Sequence, residues 1–228
     1  MTGTLINVVT VVVGGGLGLL VGSRLPERSR RTVMDGIGVV TIVLGVEMAL
    51  KTQNALVVLL SMLFGALAGE WARIEDRLAS VGDALKARLR GGGGARFTEG
   101  FVAASLLFCV GPMAILGSIN DGLRGDYSLL AVKSVLDGFA AMAFASTMGV
   151  GVLFSTITVL VYQGGITLLA GTAEAVLTAP VVAELTATGG VMVLAIGIRL
   201  LDLRDIRVGN FLPALLFAPL VLAFLEYL

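Results

Sequence analysis

The chain contains no histidine and one cysteine, Cys109, among 228 residues. The first absence removes every imidazole ligand and imidazole base, and the second removes any intramolecular disulfide. Histidine or thiolate metal sites are therefore excluded, and no metal or other cofactor is expected. Charge is also scarce: 14% of residues are charged, and 16 basic residues balance 16 acidic ones. That balance gives no electrostatic footprint for nucleic acid. Recognisable enzyme signatures are missing too. There is no GxSxG elbow, no Walker A Gly-Lys-Ser/Thr and no GxGD, and HExxH is impossible without His. No catalytic residues are assigned, and an enzyme is not expected.

What the chain has instead is apolar length. It is 57% hydrophobic, with a mean hydropathy of +0.98, far above soluble domains. A bilayer core about 30 Å thick takes about 20 apolar residues per helix. Apolar runs and their punctuation predict an all-α polytopic membrane protein with eight spans, near 4–22, 33–50, 54–72, 97–117, 129–149, 151–171, 185–203 and 208–227. The stretch from Ser128 to Leu177 has no charged loop and is too long for one span, and Gly149-Val150-Gly151 is where it should divide.

Basic residues set the orientation. Thirteen of them (Arg24, Arg28, Arg30, Arg31, Arg73, Arg77, Lys86, Arg88, Arg90, Arg96, Arg199, Arg204, Arg207) fall on one side of this arrangement. Lys51, Arg124 and Lys133 fall on the other. The positive-inside bias then places both termini outside the cytoplasm of a bacterial inner membrane. The first span has no basic residues before it, the reverse of a secretory signal, so it is expected to be retained. Between spans three and four, Ile74, Leu78, Val81, Leu85 and Leu89 recur at helical spacing opposite a charged face. They predict an amphipathic helix on the cytoplasmic membrane surface, ended by Gly91 to Gly94; a solvated linker is the alternative.

VVTVVVGGGLGLLVG from Val8 resembles ITVLVYQGGITLLAG from Ile157. Gly15, Gly16 and Gly22 align with Gly164, Gly165 and Gly171; the Gly38 and Gly190 segments continue the match, as do those from Asn54 and Asn210. Copies that start five spans apart enter the membrane from opposite sides, the arrangement of an inverted-topology repeat of spans 1–3 and 6–8. The competing account is chance similarity among Gly- and Val-rich helices. The chain is then one transmembrane domain, with a first repeat over 1–72, the amphipathic segment and Gly-rich linker over 73–96, an inserted helix pair over 97–150 and a second repeat over 151–228.

Gly14, Gly18 and Gly22, like Gly65 and Gly69, lie four residues apart, a spacing that lets helix backbones approach closely. They read as packing faces, inside the chain or in a homo-oligomer, with a dimer favoured. Lys133 and Asp137 sit one turn apart within a span. They read either as an ion or proton site, with Lys133 able to snorkel outward, or as a neutralised packing pair. Asn7 and Gln163 lie one in each repeat and can bind between helices or coordinate a ligand. Gly111-Pro112 interrupts the fourth span, followed at its external end by Ser118, Asn120 and Asp121. Asn210 and Pro213 predict irregular first turns in the last span. These residues are the transport-pathway candidates, whereas Asp35, Glu47, Glu70 and Arg199, at span ends, read as interfacial.

Several strings together, GTLINVVTVVVGGGLGLLVG, SLLFCVGPMAILGSINDGL, KSVLDG, VYQGG and TATGGVMVLAIGIRLLDLRDIRVGNFLPAL, are similar to a bacterial family. It is the multi-pass membrane family catalogued as domain of unknown function 554. The resemblance covers almost the whole chain and implies an inner-membrane protein that could be a transporter; it brings no catalytic residues. The reading is a secondary transporter or channel for a small ion or solute, in contact with membrane lipids. The alternative is a non-transporting scaffold or sensor that packs through its glycine faces. A Gly92→Cys variant is expected to escape a membrane-impermeant maleimide added outside intact cells; labelling there would overturn the orientation.

Overall fold

A computed structural model describes residues 1–24, 26–80 and 96–226. Among these, eleven α-helices and one 3-10 turn form and no strand does. In chain order they are α1 (Thr2–Gly22), α2 (Glu27–Ala49), α3 (Ala55–Trp71), α4 (Ile74–Ser80), α5 (Phe97–Cys109), α6 (Pro112–Arg124), α7 (Ser128–Met148), α8 (Gly151–Leu168), α9 (Ala170–Val176), α10 (Ala179–Leu200), the turn Val208–Phe211, and α11 (Ala214–Glu226). Six segments are long and apolar enough to cross a membrane, and up to eight are if each bent pair, α3 with α4 and α5 with α6, counts as one span. The chain is a multi-pass, all-helical membrane protein. Its outward apolar side chains, from Leu5 and Val9 on α1 to Leu67 and Trp71 on α3, suit lipid and its boundary.

Glycine sets which helices touch. A β-carbon on Gly14, Gly18 or Gly22 would run into the carbonyl oxygens of Gly138, Met142 and Ser146 respectively, so α1 lies parallel to α7 at backbone contact. On α3, Gly65 faces Ala214 and Gly69 faces the Asn210 carbonyl, which makes α3 and α11 antiparallel. Both glycine faces predicted to pack therefore do so, inside the chain. Elsewhere α2 runs antiparallel to α10, with Gly45 against Gly190 and Gly38 against Gly197, and α5 runs parallel to α8, Ser105 bonding Thr158. These directions are the ones that eight alternating crossings require. The buried core, with Phe108, Met148, Met192 and Leu200, lies where α5, α7, α8 and α10 converge.

Breaks fall where the sequence punctuates. Gly149 has φ 82°, a left-handed value that favours glycine, and it turns α7 into α8 with two residues between them. At Val110-Gly111 the backbone is extended, and α6 restarts at Pro112 with a bend of 58°. The last span opens as a 3-10 turn before Pro213, as its irregular sequence predicts. Three boundaries differ from the sequence reading. Helix α10 begins at Ala179, six residues early, because Pro180 suits a first turn, where no N–H is needed. Helix α2 starts inside the arginine-rich segment, and the sixth span divides at Leu169. In the described part of the segment expected to be amphipathic, Glu75 is buried and Ile74 and Leu78 are half-buried. Val81, Leu85, Leu89 and Gly91 to Gly94 lie outside the described residues.

Replacing Gly18 by Val is expected to lower stability by about 1–3 kcal/mol or more through overpacking against Met142. Gly16→Ala, where a β-carbon meets nothing within 4 Å, should shift it by less than about 1 kcal/mol. Thermal unfolding in detergent separates the two.

Candidate functional site

Because α1 lies so close to α7, side chains on its inner face reach the polar residues of α7. Asp137 is nine residues into α7, about 14 Å along a helix that rises 1.5 Å per residue, near the middle of a core about 30 Å thick. Both Asp137 and Lys133 are 6% exposed. The Lys133 ammonium turns inward to Asp137 Oδ2 instead of snorkelling to the surface. Its Nζ also lies 6.0 Å from the centre of the Phe108 ring, at the limit of a cation–π contact. A lone charge at this depth costs about 2.5–3.5 kcal/mol on insertion scales, and a partner one turn away offsets part of it.

Asn7 on α1 and Gln163 on α8 complete the cluster, both with no exposed surface. Asn7 Nδ2 donates to Asp137 Oδ2 at 2.9 Å and to Gln163 Oε1 at 3.3 Å. A carboxylate only accepts, so Asp137 settles which way the Asn7 amide faces. Asn7 in turn settles Gln163, whose oxygen must face the Asn7 amide nitrogen. Two buried atoms are left over, the acceptor Asn7 Oδ1 and the donor Gln163 Nε2, and neither has a protein partner. Buried hydroxyls divide into two groups. Ser134 and Thr186 bond carbonyls one turn back, at 2.7 and 2.6 Å. Thr4, Ser118, Thr167 and Thr188 are buried without such a bond. Unpaired polar groups in a lipid-embedded interior need a ligand or water. The broken span stands beside them, with Val110 against Gly189 on α10, next to Thr188.

A second polar network closes the arginine-rich end. Arg199 bonds Glu75 Oε1 at 2.7 Å and pairs with Asp205 at 3.1 Å and Glu99 at 3.4 Å. Glu75 Oε2 accepts from the Gly209 amide at 2.7 Å, and Asn210 Oδ1 accepts from the Glu75 amide at 2.8 Å while its Nδ2 donates to Glu70. Glu99, Arg199, Asp202, Arg204 and Asp205 line an open cavity of about 240 Å³ there. At the opposite end, Glu184 on α10 is fully buried and accepts from the Thr52 hydroxyl and from the Gln53 and Asn54 amides at 2.7, 2.7 and 3.0 Å.

Of the residues singled out from sequence, Asn7, Lys133, Asp137 and Gln163 come together. Gly111 and Pro112 form the helix break next to them. Asp121 lies at one end, its Oδ2 accepting from the Gly3 amide at 3.0 Å, and Asn120 beside it is half-buried. Asn210 belongs to the network at the other end, together with Glu70 and Arg199, and Pro213 follows it in the first turns of the last span; neither joins the cluster. Asp35 is exposed, as is Glu47, which pairs with Lys51 at 3.5 Å. Glu75 and Glu184 went unnoticed in the sequence. The signal for Glu184 was an acid four residues after Pro180 in an otherwise uncharged stretch.

A family model described as "Protein of unknown function (DUF554)" matches residues 2–223. The chain belongs to this family. "Uncharacterized protein YqgA" of Escherichia coli K12 is 34% identical over 220 residues, which covers 95% of this chain and 94% of that protein. "Uncharacterized membrane protein YdfK" of Bacillus subtilis 168 is 27% identical over 226 residues, covering 97% and 96%. No solved structure matches. The likeness runs end to end, so the cluster and both end networks lie within the span that the family shares.

Lys133→Met leaves the Asp137 carboxylate buried alone and is expected to lose about 3–5 kcal/mol. Lys133→Met with Asp137→Leu should recover most of that loss in thermal unfolding. Equal losses in the single and double variants would mean that the two groups do not pair.

Proposed function

We propose that the chain is a secondary transporter or channel that moves a small ion or solute across the bacterial inner membrane, with both termini outside the cytoplasm. The observation that carries this reading is the mid-membrane cluster of Asn7, Lys133, Asp137 and Gln163, with two orphaned amide atoms, beside a span broken at Gly111. Buried ionisable groups next to a discontinuous helix are a common construction of substrate sites in membrane transporters.

An inverted repeat is part of the same reading, and packing symmetry supports it. Aligning Gly38 with Gly190 and Gly45 with Gly197 carries the contact of Gly38 with Gly197 onto that of Gly190 with Gly45, and both contacts exist. A β-carbon on Gly197 would lie 3.0 Å from the Gly38 oxygen, and one on Gly190 2.8 Å from the Gly45 oxygen. The aligned pair Asn54 and Asn210 behaves likewise. The amide just before each goes to a buried glutamate, Gln53 to Glu184 and Gly209 to Glu75, at 2.7 Å in both cases. Spans one and six, two and seven, and three and eight each pack against one another, as expected of two intertwined copies related by an axis in the membrane plane.

Against the scaffold reading, the five glycines expected to receive a partner are used within the chain. The apolar faces of α1 to α3 remain for lipid or for a second copy. Enzymatic chemistry does not enter this proposal, and any uphill transport would draw on an ion gradient.

In proteoliposomes, a panel of monovalent ions and small organic acids is expected to include one whose movement requires the protein. Asp137→Asn should cut its proton-gradient-driven flux at least about tenfold, a barrier change of about 1.4 kcal/mol. Protein-independent movement of every probe would overturn the transport reading.

A further inference from the structure

The cluster has charges and donors arranged so unevenly that they bear on which ion it would take. Lys133 already supplies an ammonium against Asp137, in the place where a free metal cation would have to sit. Adding a cation would put two positive charges beside one carboxylate inside the membrane. Among the described residues, no three acidic or sulfur side chains gather to hold a metal ion. The polar atoms left open point the same way. Lys133 has N–H groups beyond the one given to Asp137, and Gln163 Nε2 has two with no partner, against two open acceptors, Asn7 Oδ1 and the second carboxylate oxygen of Asp137. The open groups are mostly donors.

We infer that this site takes a small monovalent oxyanion together with one proton, an inference that rests on the transport reading. The anion's oxygens accept from Lys133 Nζ and Gln163 Nε2, and the proton goes to Asp137. Charge balances at each stage. Empty, the site holds one ammonium and one carboxylate; loaded, it holds one ammonium, one anion and one neutral carboxylic acid. In the loaded state Asn7 Nδ2 keeps Asp137 in place, and Asn7 Oδ1 can accept from a ligand hydroxyl or a water. The break at Gly111 borders open space, since a β-carbon there would meet nothing within 4 Å, and Phe108, three residues before it, lies against Lys133.

Other ionisable groups around Asp137 are few. Among the described residues, Lys133 is on its own helix, the Cys109 thiol at the end of α5 is close enough to interact with both, and the Tyr162 phenol next to Gln163 on α8 lies near Cys109. Helices α1 and α8 present the neutral amides. Asp121 on α6 is engaged at Gly3, and Asp35 and Glu47 on α2 are exposed.

The test uses the full chain in detergent, in weakly buffered solution with a pH indicator, with binding followed by calorimetry. Formate, nitrate and chloride are added as pH-matched N-methylglucamine salts, and lithium, sodium and potassium as HEPES salts. Formate or nitrate is expected to bind with uptake of about one proton per chain, the linkage expected when only the loaded form is protonated. Which of the two acts tells a carboxylate substrate from an inorganic one. Asp137→Asn should bind the same anion without proton uptake and with an affinity flat in pH, which an unfolded variant could not do. Gln163→Glu should weaken binding at least about tenfold. Proton release on adding a cation, a response to chloride alone, or undiminished proton uptake by Asp137→Asn would each overturn the inference while leaving transport intact. Silence with every ion would overturn it as well, and silence in the flux assay too would remove both readings.

Discussion

Backbone contact between α1 and α7 is the constraint from which the rest of the polar interior follows. Three glycines one turn apart let α1 settle onto the carbonyls of Gly138, Met142 and Ser146. In lipid there is no hydrophobic drive to press two apolar helices together, so such closeness comes from shape and weak Cα–H···O contacts. Only at that separation does a side chain as short as Asn7 reach Asp137. Only then can α8, crossing the same helix, bring Gln163 within range of Asn7. A bulkier seam would leave the Lys133 and Asp137 pair packed against hydrocarbon, as an ion pair with nothing further to do.

The two ends of the bundle are built differently from its middle. At one end Glu184 holds the strand of chain entering α3, and at the other Glu75 holds the chain entering α11. Each uses a charged acceptor to satisfy backbone amides that no helix has yet taken up, a strong form of hydrogen bond in a low-dielectric setting. The middle instead leaves Asn7 Oδ1 and Gln163 Nε2 open. End glutamates bonded through both carboxylate oxygens and a centre with open amide atoms give a molecule with firm anchors and a receptive interior.

Much of this could be read before any coordinates, for reasons that differ by element. Spans and their alternating directions follow from apolar length and its punctuation, which act locally. The glycine faces were recognisable because four-residue spacing is itself the packing geometry. Gly149 and Gly111 mark real breaks because a chain has few other ways to turn inside a membrane. The grouping of Asn7, Asp137 and Gln163 was only half visible. Each was suspect as a polar residue in a span, but nothing in sequence says that positions 130 and 156 residues apart share a hydrogen-bond network. Glu184 was hidden because an acid near a proline reads as loop, and only the tertiary fold shows that it is buried. Asn210 and Pro213 read as an irregular helix start, which the 3-10 turn matches, but they lie apart from the Asn7 cluster, because irregularity alone carries no address.

Lys133 and Asp137 neutralise each other from the same helix, four residues apart. That placement matters before the fold exists. A nascent α7 leaving the ribosome carries its counter-charge with it, so it can partition into the bilayer as a neutral segment without first docking on α1. Only Gln163, on α8, has still to be made at that point. The spacing of two residues thereby frees insertion of α7 from assembly of the polar interior.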